Sequence, residues 1–203
     1  MHRILQDFVD EKTPLKTFIR KAKCTLIGDA PEYWVIKKYI KCGGFNLNVG
    51  CGDKPIKHTI GVDDYTLETY TDRKVKCDIV GDALNLPFRD ASVDTVVARH
   101  IWEHLPPTTF LAEMARVIKP GGHLCIALPN IDYPGPVLYW RDPTHLWAAS
   151  PDPDRCFQIL PLLLPGTKTP WTLVQFNKLG KWWYPWSFDI VVRKKIATPD
   201  YKN

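Results

Sequence analysis

Leu47-Asn48-Val49-Gly50-Cys51-Gly52 is a short apolar run ending in Gly-x-Gly, and thirteen residues past Gly50 a second run, Ile60-Gly61-Val62-Asp63, ends in an acid. Glycine lets a chain turn sharply at a strand's carboxyl end and removes the Cβ that would hold a ligand away. A carboxylate ending the neighbouring strand can accept both hydroxyls of a ribose. The pair therefore reads as a buried strand feeding a nucleoside pocket. Outward from it, helix-like and strand-like segments alternate from residue 32 to residue 130, which implies a mostly parallel sheet covered by helices.

The expected elements have clear punctuation. Glu32 to Lys41 reads as a helix stopped by Gly43-Gly44, and strands follow at Phe45 to Val49, Thr59 to Val62, Cys77 to Val80 and Thr95 to Ala98. Pro106-Pro107-Thr108 opens a helix through Ile118, Lys119-Pro120-Gly121-Gly122 ends it, and His123 to Leu128 is a fifth strand. Beyond Pro129-Asn130 prolines and aromatics (Tyr133, Tyr139, Trp140, Trp147) gather in a lid-like segment. Trp171 to Asn177 and Trp182 to Lys194, with a turn at Lys178-Leu179-Gly180-Lys181, read as an antiparallel edge hairpin.

The chain of 203 residues suits one domain, divided into a helical segment (1–44), a nucleoside-binding core (45–130), a lid (131–170) and the hairpin (171–203). No run approaches a membrane span and the first residues lack a signal-peptide core, so a soluble cytoplasmic protein is expected. The six cysteines include no Cys-x-x-Cys pair, and free thiols without structural zinc are expected. The net charge of +5 is concentrated near the ends: Lys12, Lys16, Arg20, Lys21 and Lys23 flank an apolar stripe of Leu15, Phe18, Ile19 and Ala22, the pattern of a solvated helix face.

Five blocks in order, LNVGCGD (47 to 53), IGVDDY (60 to 65), VGDALNLPF (80 to 88), SVDTVVARHIWEHL (92 to 105) and EMARVIKPGGHLCIALPN (113 to 130), resemble the class I S-adenosylmethionine-dependent methyltransferases, especially the type 11 family. The resemblance implies a Rossmann-like α/β fold and S-adenosylmethionine as cofactor. It places Gly50, Cys51 and Gly52 in the loop beneath the cofactor's methionine end, Asp63 at the ribose with Asp64 sharing that task or capping the next segment, and Asp82, Ala83 and Leu84 at the adenine. It sets Arg99 and His100 near the sulfonium. Two features depart from the family: Asn48 stands where an acid is common, and Asp53 to His58 is too short for a crossover helix, so one sheet face is bare or covered by the N-terminal helix.

His100-Ile101-Trp102-Glu103-His104 also spells H-x-x-E-H, a zinc-hydrolase signature that requires a continuous helix, whereas here a strand precedes His100 and Pro106-Pro107 follows. In a methyltransferase His100 or His104 would act as a base with Glu103 orienting it, or would tie down the loop. His145, in Arg141-Asp142-Pro143-Thr144-His145-Leu146-Trp147, reads equally as an acceptor contact or base and as a buried turn histidine. Trp171, Trp182, Trp183 and Trp186 wall an acceptor or pack the hairpin on the core. No Asp/Asn-Pro-Pro-aromatic block follows strand four and no cysteine adjoins a proline, which disfavours nucleic-acid bases as acceptors. The expected reaction is direct, metal-free methyl displacement onto a small or medium-sized acceptor; a cofactor-binding accessory protein and the zinc hydrolase are the alternatives.

Overall fold

A computed structural model describes residues 36–70, 72–132, 135–150, 169–177 and 187–196. Seven strands form one sheet: β1 (Asn46–Val49), β2 (Ile60–Asp63), β3 (Ile79–Val80), β4 (Val93–Arg99), β5 (Ile118–Pro129), β6 (Trp171–Asn177) and β7 (Ser187–Lys194). Their order is β3-β2-β1-β4-β5-β7-β6, with β3 through β5 parallel and β7 and β6 antiparallel. Three helices are described: α1 (Thr66–Tyr70), α2 (Pro107–Val117) and α3 (Pro136–Tyr139). The expected α/β sheet with a terminal antiparallel hairpin is therefore what forms. The 12–23 helix face, the turn at 178–181, and Tyr133, Trp182, Trp183 and Trp186 lie outside the described residues.

Element boundaries differ where partners intervene. Strand three shortens to Ile79–Val80, because the Asp78 carboxylate accepts the Gly61 N–H at 2.7 Å just before the ladder begins. Strand five begins at Ile118, not His123. Val93 pairs with Ile118 and Thr95 with His123, so residues 119–122 bulge opposite Asp94. Gly122 has to be glycine there: a Cβ would sit 2.7 Å from the Asp94 carbonyl oxygen. Lys119 Nζ closes the bulge on Asp94 Oδ2 at 3.1 Å. A bulge is set by the strand opposite, which a lysine-proline-glycine run read alone as a helix stop does not contain.

The two sheet faces are unequal. On the first, Leu47, Val49, Val62, Val96, Leu124, Ile126, Ile190 and Val192 bury a large core against Trp102 and the apolar stripe of α2 (Phe110, Leu111, Met114, Val117). Alternate residues of the same strands carry Asn46, Asn48, Thr95, Arg99 and His123 onto the second face. There the apolar cluster among the described residues is smaller: Ile36, Ile56, Val97, Cys125 and Val191. Residues 50–59 join the parallel strands β1 and β2 without a helix, as the short spacing indicated. The connection succeeds because Gly50, Gly52 and His58 reverse the chain at φ 64°, 55° and 64°. The turn at residues 36–40 covers part of this face, and Tyr39 anchors it: its carbonyl accepts from Thr95 Oγ1 and its hydroxyl donates to Gln175 Oε1, both at 2.8 Å.

Candidate active site

The carboxyl ends of β1, β2 and β4 converge on the glycine loop. Gly50 N donates to the Val62 carbonyl at 2.8 Å, and Gly52 N donates to Asp63 Oδ2 at 2.8 Å, so the loop is sewn to β2 through the acid itself. Asp63 Oδ1 accepts from Tyr65 N at 3.1 Å. Each carboxylate oxygen retains a second lone pair, which is what a vicinal diol needs. The Cys51 side chain turns away from the loop's open side: Sγ lies 3.6 Å from the Lys76 carbonyl and packs on Gly61. Burial, reinforced by the Asp63 charge, pushes its thiol up to about 12, so Cys51 contributes backbone and no nucleophile.

Asp64 Oδ1 accepts from Thr66 N at 2.9 Å at the start of α1, which favours capping over ribose contact. Asp82 Oδ1 accepts from Leu84 N at 2.7 Å, a tight turn that presents Ala83 and Leu84 half-buried against the core beside an exposed carboxylate. Asn48 is buried and its Nδ2 has no hydrogen-bond partner among the described residues; the same holds for Nε of Arg99, on the same face of the adjacent strand. Two buried donors held this way beside a glycine loop suit a polar ligand better than an empty core.

The H-x-x-E-H segment is not a helix. β4 ends at Arg99, His100 stands at φ 53° with its N–H bonded to the Ala127 carbonyl, and Trp102–His104 is one 3-10 turn. The two motif histidines instead flank the buried Glu103: His100 Nδ1 and His104 Nε2 lie 3.7 and 3.8 Å from Glu103 Oε1. Leu146 N donates to the Glu103 carbonyl at 2.8 Å and draws in the loop after α3. That loop supplies His145, whose ring lies 4.8 Å from His104 and 4.3 Å from Tyr139. Burial lowers the His145 pKa, and burial beside Glu103 raises that of Tyr139. Burial opposes the charge on Asp142, but the Thr144 hydroxyl and amide together hold its carboxyl below the usual range.

Sequence reading placed His100 and His104 beside Glu103 in one segment and His145 in another, and the structure brings His145 to the same carboxylate. Trp147 has a different role from an acceptor contact: it is buried, and its indole N–H reaches the Trp102 and Leu105 carbonyls at 3.0 Å each. Ile101 was missed. Its side chain occupies the space a Cβ on Gly50 would fill, a contact that follows from the glycine only once β4 is known to adjoin β1.

The sheet order and the loop at its switch point define a class I methyltransferase fold. Residues 42–126 match the family model described as Methyltransferase domain. A probable S-adenosylmethionine-dependent methyltransferase of Mycolicibacterium smegmatis is 34% identical over 127 residues, 52% of this chain and 49% of that protein. The probable tRNA methyltransferase 9B of Bos taurus is 35% identical over 97 residues, covering 42% of this chain and 21% of the relative. The chain thus spans less than half the length of either relative. Among solved structures, a SAM-dependent methyltransferase from Methanosarcina mazei superposes with a TM-score of 0.55 at 18% identity, covering 83% of this chain and 99% of its own. A possible histamine N-methyltransferase from Thermotoga maritima gives 0.55 at 19% identity over 96% and 100% of the two chains. At these identities the structural likeness speaks for the fold. Among the described residues no helix is long and apolar enough to cross a membrane.

Proposed function

We propose that this chain is an S-adenosylmethionine-dependent methyltransferase acting by direct displacement on an oxygen, nitrogen or carbon nucleophile of a small or medium-sized acceptor. The observation that carries the reading is the Gly52 N–H to Asp63 Oδ2 bond at 2.8 Å, which fixes a ribose-type carboxylate against a Cβ-free loop. When bound, S-adenosylmethionine supplies an already electrophilic methyl group, so the protein's work is alignment and proton removal. Asp63 offers its remaining lone pairs to the ribose hydroxyls, the Asp82 turn meets the adenine edge, and the 50–52 loop lies under the amino-acid end. With Asn48 in place of an acid, that end is held by shape and backbone more than by charge. His100, at the end of β4 with a half-exposed side chain, is the group placed to take a proton from an acceptor. The missing base-stacking block after β4 supports a small acceptor over a nucleic-acid base.

Titration calorimetry with S-adenosylmethionine and S-adenosylhomocysteine tests the cofactor: one site is expected, lost in Gly52→Val and in Asp63→Ala. Absence of binding by the intact chain would end the proposal. Transfer of radiolabelled methyl groups in an acceptor screen then separates an enzyme from an accessory protein, which would bind the cofactor and transfer nothing.

A further inference from the structure

Glu103, His104 and His145 pose a problem that their hydrogen bonds make explicit. The Thr144 hydroxyl donates to Asp142 Oδ1, because a carboxylate can only accept. Its proton is thereby committed, so the 2.7 Å contact between Thr144 Oγ1 and His104 Nδ1 is donated by the imidazole. The same logic applies to His145, whose Nδ1 sits 3.0 Å from the Tyr139 carbonyl, another obligate acceptor. In the neutral tautomers both rings carry their proton on Nδ1, and both Nε2 atoms hold a lone pair. Glu103 adds a carboxylate that is 2% exposed and accepts no hydrogen bond among the described residues; its Oε2 is buried without a partner. One ligand atom from each of the three residues lies within 4.8 Å of the others.

Three electron-pair donors thus converge, and the Glu103 carboxylate, with His100 and His104 no nearer than 3.7 Å and Oε2 without a partner among the described residues, sits where an unsatisfied charge costs several kcal/mol. We propose that Glu103, His104 and His145 form a binding site for a zinc-class divalent cation, bridging the turn after β4 and the loop after α3. Each imidazole already has the outer hydrogen bond that fixes a metal-ligating histidine's tautomer and orientation, to a hydroxyl in one case and a backbone carbonyl in the other. Nitrogen–oxygen donor sets of this kind select zinc or cobalt over magnesium. Donors around a tetrahedral ion stand about 3.3 Å apart, so side-chain rotations of about 1 Å close the set. Asp142 Oδ2 lies 3.9 Å from His145 Nε2, and His100 Nδ1 lies 3.7 Å from Glu103 Oε1. The arrangement is not that of the helical H-x-x-E-H enzymes, in which both motif histidines bind the metal and the glutamate does not.

The test is cobalt(II) and zinc(II) titration of the full chain stripped of metal, with zinc competed against a chromophoric chelator. One equivalent of cobalt giving intense visible d–d absorption, displaced by zinc and indifferent to millimolar magnesium, is expected. His145→Ala and Glu103→Gln should each weaken zinc binding at least 100-fold, and Thr144→Val, which removes the hydroxyl that accepts from His104 and donates to Asp142, about 10-fold. His58→Ala, an exposed histidine outside the cluster, should leave zinc affinity unchanged. Absence of a saturable equivalent in the unmutated chain would overturn the proposal, as would unchanged affinity in His145→Ala; a cluster that is only a protonated histidine–carboxylate pair gives the first of these results. The readout is metal binding, so it stands or falls independently of methyl transfer.

Discussion

Gly50 stands at φ 64°, and a Cβ built there would lie 2.7 Å from both Cβ and Cγ1 of Ile101. The first fact makes any L side chain strained and the second leaves it no room, since Ile101 follows β4 directly and cannot withdraw without moving the strand end. Gly50→Ala is therefore expected to lose about 2 kcal/mol of stability in urea unfolding and at least tenfold in S-adenosylhomocysteine affinity by calorimetry. An unchanged unfolding midpoint would contradict the crowding. At this scale the glycines and Asp63 were legible because strand ends and tight turns are local chemistry. His104 and Thr144 were not legible as partners: they stand 40 residues apart and meet only when the turn after β4 and the loop after α3 fold together.

Between those two elements the strongest described link is Trp147. Its Nε1 donates to the Trp102 and Leu105 carbonyls at 3.0 Å each, and its ring packs edge-on to Trp102 with centroids 4.9 Å apart. Trp147→Phe keeps an aromatic ring and removes the indole donor, so the Leu105 carbonyl loses that hydrogen bond while the Trp102 carbonyl keeps the one from Leu105 N. A cost of about 1–2 kcal/mol is expected in urea unfolding. Exchange of the Leu146 amide, bonded to the Glu103 carbonyl, should speed up about 5- to 30-fold through the same local opening. Unaltered exchange would mean that the loop is held by other contacts. Element existence was largely readable: Pro106-Pro107 opens α2, and the short β1–β2 spacing announced a missing crossover helix. The start of β5 was not, because the bulge over Asp94 depends on a neighbour in space.

At the scale of the sheet, the described residues bury a larger apolar cluster on one face than on the other, and the sequence carried a trace of this. A parallel sheet covered on both faces reads as continuous apolar runs, whereas Asn46 and Asn48 alternate with Leu47 and Val49, and Thr95 with Val96. The α2 face carries the larger described core, and polar ties cross it. Arg116 makes the most extensive one: it donates to both oxygens of Glu113, to the Leu86 and Phe88 carbonyls and to Asp90, while Glu113 Oε1 accepts from Leu86 N at 2.6 Å. The Arg116 hydrogen bond, against the opposing effect of burial, holds the Glu113 carboxyl below its usual 4.5. A carboxylate with a depressed folded-state pKa stabilises fully above its unfolded value and loses that contribution as pH falls through the folded one. His123 acts in the same direction at higher pH: burial lowers its pKa from 6.5, so the native state resists a proton that the unfolded chain accepts. Unfolding free energy should thus decline gently as pH drops below 6.5 and more steeply below 4.5. Glu113→Gln should remove about 1–2 kcal/mol at neutral pH and flatten the steeper limb, leaving the His123 limb in place. Urea titrations from pH 7.5 to pH 3.5 measure both, and a variant whose acid limb parallels that of the unmutated chain would remove Glu113 as its source.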